Sequence, residues 1–216
     1  MSHQMNLTKF FQIITLLIIA TGIVATVQAR SANEVQPILI GSKVPDAKLK
    51  DQTGNDVSLH DIIANKNTAV IFYRGSWCPY CNTHLQELAA AESELIELGY
   101  QIIAISPDSP EMLNTTDEKH TLNYALYSDS DFEAADAFGI SFELPKANIA
   151  RLKSFGIDLE KSSGGKNANR LPVSSVFLIT PNKEVSFHHV DPNYKFRIPG
   201  KLLLAAAESS LKFHTK

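Results

Sequence analysis

Cysteine is almost absent from this chain: two residues in 216, Cys78 and Cys81. With no second Cys-x-x-Cys pair, a four-thiolate zinc site is excluded. A surplus of positive charge is missing as well. The net charge is -3, and no run of Lys and Arg could track a phosphate backbone, so nucleic acid is excluded as a partner. There is no internal repeat. No cysteine lies near the end of the apolar N-terminal stretch, which excludes a lipoprotein anchor there.

What is present begins with that stretch. "MSHQMNLTK" is polar with one cation, "FFQIITLLIIATGIVATV" is apolar, and "VQA" offers small residues for cleavage after Ala29. The pattern is that of a secretory signal peptide over residues 1–29. It predicts a periplasmic or secreted protein. If the segment is retained, it is long enough to anchor the chain to a membrane with the domain facing outward. Residues 30–38 read as a polar linker and residues 39–216 as one domain, with 44% hydrophobic residues across the chain to build its core. Export implies an oxidising compartment.

Along the domain, Gly54-Asn55 marks the turn of an opening hairpin. "TAVIFY" (68–73) is a buried strand by composition and length. After Pro79 the apolar spacing changes to that of an amphipathic helix ending near Gly99. "YQIIAIS", "YALYSD" and "SVFLIT" read as further strands. Helices are predicted from Pro110, over "SDFEAADAFG" and over "GKLLLAAAESSLKF"; "KEVSFHHV" follows a "PNK" turn. This alternation predicts an α/β domain: a central, mostly parallel sheet with helices on both faces and an N-terminal hairpin. "FELPKANIARLKSFGIDLEKSSGGKNANR" interrupts the order. Its Gly/Ser/Asn-rich tail reads as a mobile surface loop.

The two cysteines sit where the first buried strand gives way to its helix. Unpaired amide donors at a helix start favour negative charge. Such positions lower a thiol pKa from about 8.5 to between roughly 3.5 and 7.5. Cys78 is therefore expected to be the thiolate, and Cys81, one turn in, to stay protonated. Residues three apart on a helix lie about 5 Å apart, so the pair can close to a disulfide. A purely structural disulfide is a weak alternative, because so small a loop removes little unfolded-state entropy. Zinc on Cys78, Cys81 and His84 lacks a fourth ligand, since His188 and His189 point to opposite faces of a strand. His84 reads as a helix-surface residue. Asp108 has no predicted place near the thiols. The Asn114-Thr115-Thr116 sequon matters only in a eukaryotic secretory route.

"FYRGSWCPYCN", "GIDLE" and "LPVSSVFLITPNKEVSFHHVDPNY" together resemble the alkyl hydroperoxide reductase/thiol-specific antioxidant (AhpC/TSA) family, in its peroxiredoxin-like WCPYC branch. The resemblance covers about residues 38 to 210. It implies a thioredoxin-like fold and thiol-dependent reduction of peroxides, with no cofactor and no metal. Cys78 matches the attacking cysteine, forming a sulfenic acid that Cys81 condenses with to a Cys78–Cys81 disulfide. A thioredoxin-like dithiol would recycle it. The alternatives are a thiol–disulfide reductase of exported proteins and a non-catalytic or metal-binding module. Two positions depart from the typical pattern: Gly75 stands where Thr or Ser is usual, and Ser174 where Arg, or the cis-proline of thioredoxins, is usual. Arg74 and Trp77 are the candidates to support the thiols, with Ser174 at the facing loop.

Overall fold

The opening hairpin forms around the turn that Gly54 permits, at φ +89°. The computed structural model describes residues 31–120, 122–167 and 169–214. The segment read as a signal peptide lies outside them. Strands β1 (Lys48–Lys50) and β2 (Asp56–Ser58) pair antiparallel, and the Asp51 carboxylate accepts N–H bonds from Thr53 and Asn55 across the turn. Helix α1 (Leu59–Ile63) follows, capped by the Ser58 hydroxyl. Then comes β3 (Asn67–Phe72), buried almost throughout.

The long amphipathic segment after Pro79 is two helices, α2 (Pro79–Ala90) and α3 (Glu92–Glu97), joined at Ala91. Gly99, at φ +84°, ends the pair and leads into β4 (Tyr100–Ser106). Next are α4 (Pro110–His120), β5 (Ala125–Ser128) and α5 (Glu133–Ala137). The interrupting segment holds β6 (Ser141–Glu143), α6 (Lys146–Ser154), α7 (Leu159–Ser162) and β7 (Arg170–Pro172). The chain closes with β8 (Ser175–Ile179), β9 (Val185–Val190) and α8 (Gly200–His214).

Among the described residues the main sheet has seven strands in the order β2-β1-β5-β4-β3-β8-β9. The α/β class stands, but the parallel share is smaller than the alternation implies. Only β5–β4–β3 run parallel, and antiparallel pairs flank them on both sides. Helical crossovers give the parallel neighbours; short turns make β1–β2 and β8–β9 antiparallel, and β1 and β8 reach β5 and β3 from distant parts of the chain in the antiparallel sense. Strand β3 is interior to the sheet, with β4 on one side and β8 on the other.

Its alternating side chains feed two cores. Val70 and Phe72 join a cluster under α1 and α5, where Phe138 lies 4.9 Å from Phe72 and 4.8 Å from Phe177, ring centre to centre. Ala69, Ile71 and Tyr73 face the other way, onto Leu85, Leu88, Leu95 and Leu203 of α2, α3 and α8. Burying each such leucine stabilises the fold by about 1.5–3 kcal/mol.

Two parts of the interrupting segment differ from the sequence reading. β6 and β7 form a small separate hairpin-like sheet, too short to show a period. The Gly/Ser/Asn-rich tail is anchored: Ser163 and Asn167 are buried, the Asn167 N–H donates to Ser163 Oγ (2.8 Å), and its amide donates to the Arg170 carbonyl (2.7 Å). Polar composition signals a loop but not that its polar groups bond each other.

Phe138→Ala removes the ring between Phe72 and Phe177 and should cost about 3–5 kcal/mol, read from the urea midpoint. A loss below about 1 kcal/mol would show that the aromatic cluster does not hold this face.

Candidate active site

Strand β3 ends at the C-terminal edge of the parallel trio, the edge where α/β sheets bind ligands. The loop Arg74–Cys78 crosses that edge before α2 starts. Three bonds fix it. The Ser76 N–H donates to Asp108 Oδ2 (2.7 Å), the Cys78 N–H to the Gly75 carbonyl (3.1 Å), and the Asn82 amide to the Ser76 carbonyl (2.9 Å). Gly75 has φ +138°, and an added Cβ would lie 2.6 Å from Trp77 Nε1 and 2.9 Å from Asp108 Oδ1. Both the backbone and the space therefore require glycine at the position where Thr or Ser is usual in the resembled family.

Cys78 is the N-cap of α2, in extended conformation with Pro79 as the first helical residue. This placement is as the sequence implied. The charge is not. Both cysteines are free thiols, each 1% exposed. The neighbouring Cys81 sulfur and burial push the Cys78 thiol up. Burial acts in the same direction on Cys81. There it is outweighed by the neighbouring Cys78, the Arg74 N–H and the guanidinium groups of Arg197 and Arg74, which bring Cys81 down to about 6.

The expected polarity is thus reversed in the resting dithiol. The physical reason is what each sulfur touches. The N–H groups of Cys81 and Asn82 both point to the Cys78 carbonyl (3.0 and 3.1 Å), and what the Cys81 N–H does to lower the Cys78 thiol is outweighed by the Cys81 sulfur and by burial. Arg197 Nη2 instead lies 3.7 Å from Cys81 Sγ.

Access runs the other way. A cleft of about 320 Å³ reaches Cys78 but not Cys81. Arg74, Trp77, Tyr80 and Tyr194 form one wall, and Leu152 and Phe155 of the α6 region form the other. Arg74 is 9% exposed, not a surface cation. Its guanidinium lies 4.4 Å from the Tyr194 ring centre and 4.9 Å from that of Trp77. Such contacts hold a cation in place at about 0.5–2 kcal/mol each. No carboxylate of the described residues pairs with Arg74, and its buried Nε has no partner. A cation held beside Cys78 with spare donors is suited to an oxyanion or a peroxide oxygen.

The comparisons with known proteins agree with this geometry. The family model described as AhpC/TSA matches residues 40–188. This chain belongs to the AhpC/TSA family. The bcp protein of Haemophilus influenzae is 36% identical over 106 residues, which are 49% of this chain and 68% of that one. Peroxiredoxin Bcp of Escherichia coli is 33% identical over 106 residues, 49% of this chain and 67% of that one. Among solved structures, peroxidoxin BcpB of Mycobacterium tuberculosis aligns over 80% of this chain and 96% of its own at a TM-score of 0.61 and 20% identity. Reduced Prx3 of Vibrio vulnificus with hydrogen peroxide aligns over 79% and 99%, at 0.63 and 19%. The fold is the thioredoxin-like one of peroxiredoxins, and the chain is a peroxiredoxin-like thiol enzyme.

The remaining site residues of this AhpC/TSA protein sort as follows. Trp77 and Arg74 join Cys78. Ser174 is buried with an unpartnered hydroxyl, and lines an adjoining cleft of about 240 Å³ that shares Arg74 and Tyr194 with the first. His84 is buried rather than on the helix surface. Its Nε2–H donates to the Ile198 carbonyl (3.1 Å), and burial lowers its pKa to about 4, so it stays neutral. His188 and His189 face opposite sides of β9, opposite Phe177 and Val176. Among the described residues no cluster of three His, Cys, Asp or Glu is placed to hold a metal.

Three residues were missed. Asp108, fully buried, props the loop and interacts with Cys81. Tyr194 and Arg197 arrive from the loop after β9, more than a hundred positions from the thiols. No local pattern announces such a contact; only the basic-aromatic character of "NYKFR" hints at it.

Burial pushes the Asp108 carboxyl up to about 7, against the Ser76 bonds that lower it. A carboxyl raised in the fold is cost-free below its unfolded pKa near 3.9, destabilises increasingly from there to about pH 7, and costs a constant amount above it. Asp108→Asn should therefore gain on the reduced wild type by about 2–4 kcal/mol between pH 5 and pH 8, measured by urea unfolding at each pH. A pH-independent difference would show that Asp108 ionises freely.

Proposed function

We propose that this chain is an exported thiol peroxidase in which Cys78 attacks and Cys81 resolves. The observation that carries this reading is the cleft: it opens on Cys78 alone of the two sulfurs, beside the unpaired guanidinium of Arg74. For attack, the proton on Cys78 passes to Cys81. The Cys78 thiolate then forms a bond to the terminal peroxide oxygen, the O–O bond breaks, and the alkoxide or hydroxide leaves and takes up a proton. Arg74 offers positive charge where that oxygen develops its negative charge.

Cys81, deprotonated, next attacks the Cys78 sulfenic acid. An S–S bond forms, the S–O bond breaks, and hydroxide leaves to become water. An external dithiol of thioredoxin type reduces the disulfide. Export rests on the pattern of residues 1–29. Among the described residues no helix is long and apolar enough to cross a membrane.

A second reading, reduction of protein disulfides by the same pair, is favoured by one observation. Tyr80, Tyr194, Phe155 and Phe196 remain exposed around the site, as an apolar rim that a polypeptide could cover.

The test compares hydrogen peroxide consumption with insulin-disulfide reduction. Peroxide consumption should fall to background in Cys78→Ser, and by about 10²-fold in Arg74→Met. In Cys81→Ser a sulfenic acid at Cys78 should be trapped by dimedone. A wild-type peroxide rate no better than that of a free thiol, with active insulin reduction, would replace the first reading by the second.

A further inference from the structure

The reduced pair carries an arrangement that simple attack at Cys78 does not require. Arg197 extends from the segment before α8 and sets Nη2 3.7 Å from Cys81 Sγ, while its Nη1 donates to the Phe196 carbonyl (3.0 Å). Its buried Nε has no partner, and no carboxylate of the described residues pairs with it. The segment is tied down next door, where the neutral His84 of α2 donates to the Ile198 carbonyl. The same helix that carries Cys81 thus fixes the residue beside Arg197.

The other groups facing Cys81 are Tyr73 and Arg74 at the end of β3, Cys78, and Asp108 after β4. His189 of β9 faces Arg197, and burial keeps it on the neutral side. Of these, the two guanidinium groups are the permanent cations. Arg74 also serves the open cleft; the guanidinium bond to Cys81 comes from Arg197.

We propose that Arg197 is a catalytic residue of the closing step: it stabilises the Cys81 thiolate, so that this sulfur attacks the Cys78 sulfenic acid before a second peroxide does. The proposal rests on the peroxidase reading for its kinetic consequence. The lowered Cys81 thiol agrees with it. Arg197 bonds the sulfur of the second step. A residue with a merely structural role would slow both steps together.

The experiment uses wild type, Arg197→Met and Arg197→Lys, all fully reduced. Stopped-flow fluorescence of Trp77, the single tryptophan, follows oxidation by hydrogen peroxide and then disulfide closure. In Arg197→Met, closure should slow at least tenfold, and sulfinic acid at Cys78 should accumulate by mass spectrometry. The first phase should not slow. Arg197→Lys should recover part of the closure rate. Both phases slowing together, or neither changing, would overturn the proposal.

Thiolate absorbance at 240 nm, titrated without peroxide, gives an independent readout. The lower midpoint should rise by a pH unit or more in Arg197→Met and less in Arg197→Lys; an unchanged midpoint in either overturns the proposal. If wild type forms no sulfenic acid, the peroxidase reading fails, and this titration alone decides whether Arg197 charges Cys81.

Discussion

Everything at this site depends on one constraint: Cys78 and Cys81 are buried side by side and ionise as a pair. Two buried thiols in contact cannot both ionise, because the second charge would face the first in a medium of low dielectric. They therefore share one proton. Its position is set by what else touches each sulfur. Arg197 and the Arg74 N–H lie on the Cys81 side; Arg74 and the open cleft lie on the Cys78 side. Charge and access are separated by one turn of helix, and moving the shared proton exchanges them.

The scaffold serves this separation. Strand β3 is buried between two cores, so its end is a fixed point. Asp108 grips the following loop through Ser76, and the close approach of Asp108 and Trp77 leaves room only for Gly75. The hydroxyl that typical relatives carry there is sterically incompatible with this loop. Arg74, clamped between Trp77 and Tyr194, supplies donors to the same cleft from a different backbone position. Ser174 stands one cleft away and does not replace an arginine.

Much of this was legible in the sequence, for identifiable reasons. The buried strands, the helix from Pro79 and the hairpin at Gly54 have strong local signals: apolar runs, a change of period, a turn glycine. The positions of Cys78 and Cys81 follow from those elements. The charge on the pair does not, because it depends on Arg197, 116 positions beyond Cys81, and on the burial of both sulfurs. The burial of His84 and the anchoring of Ser163 and Asn167 were hidden for the same reason. Polar residues whose partners are distant, or are each other, look like surface in sequence.

The most direct measurement is a residue-resolved titration. With Cβ-labelled cysteine, the ¹³Cβ shifts of Cys78 and Cys81 in the reduced protein can be followed separately across pH. The account predicts that Cys81 titrates first, with a midpoint near 6, while Cys78 keeps its proton well into the alkaline range. Cys78 titrating first, with Cys81 protonated at neutral pH, would contradict it.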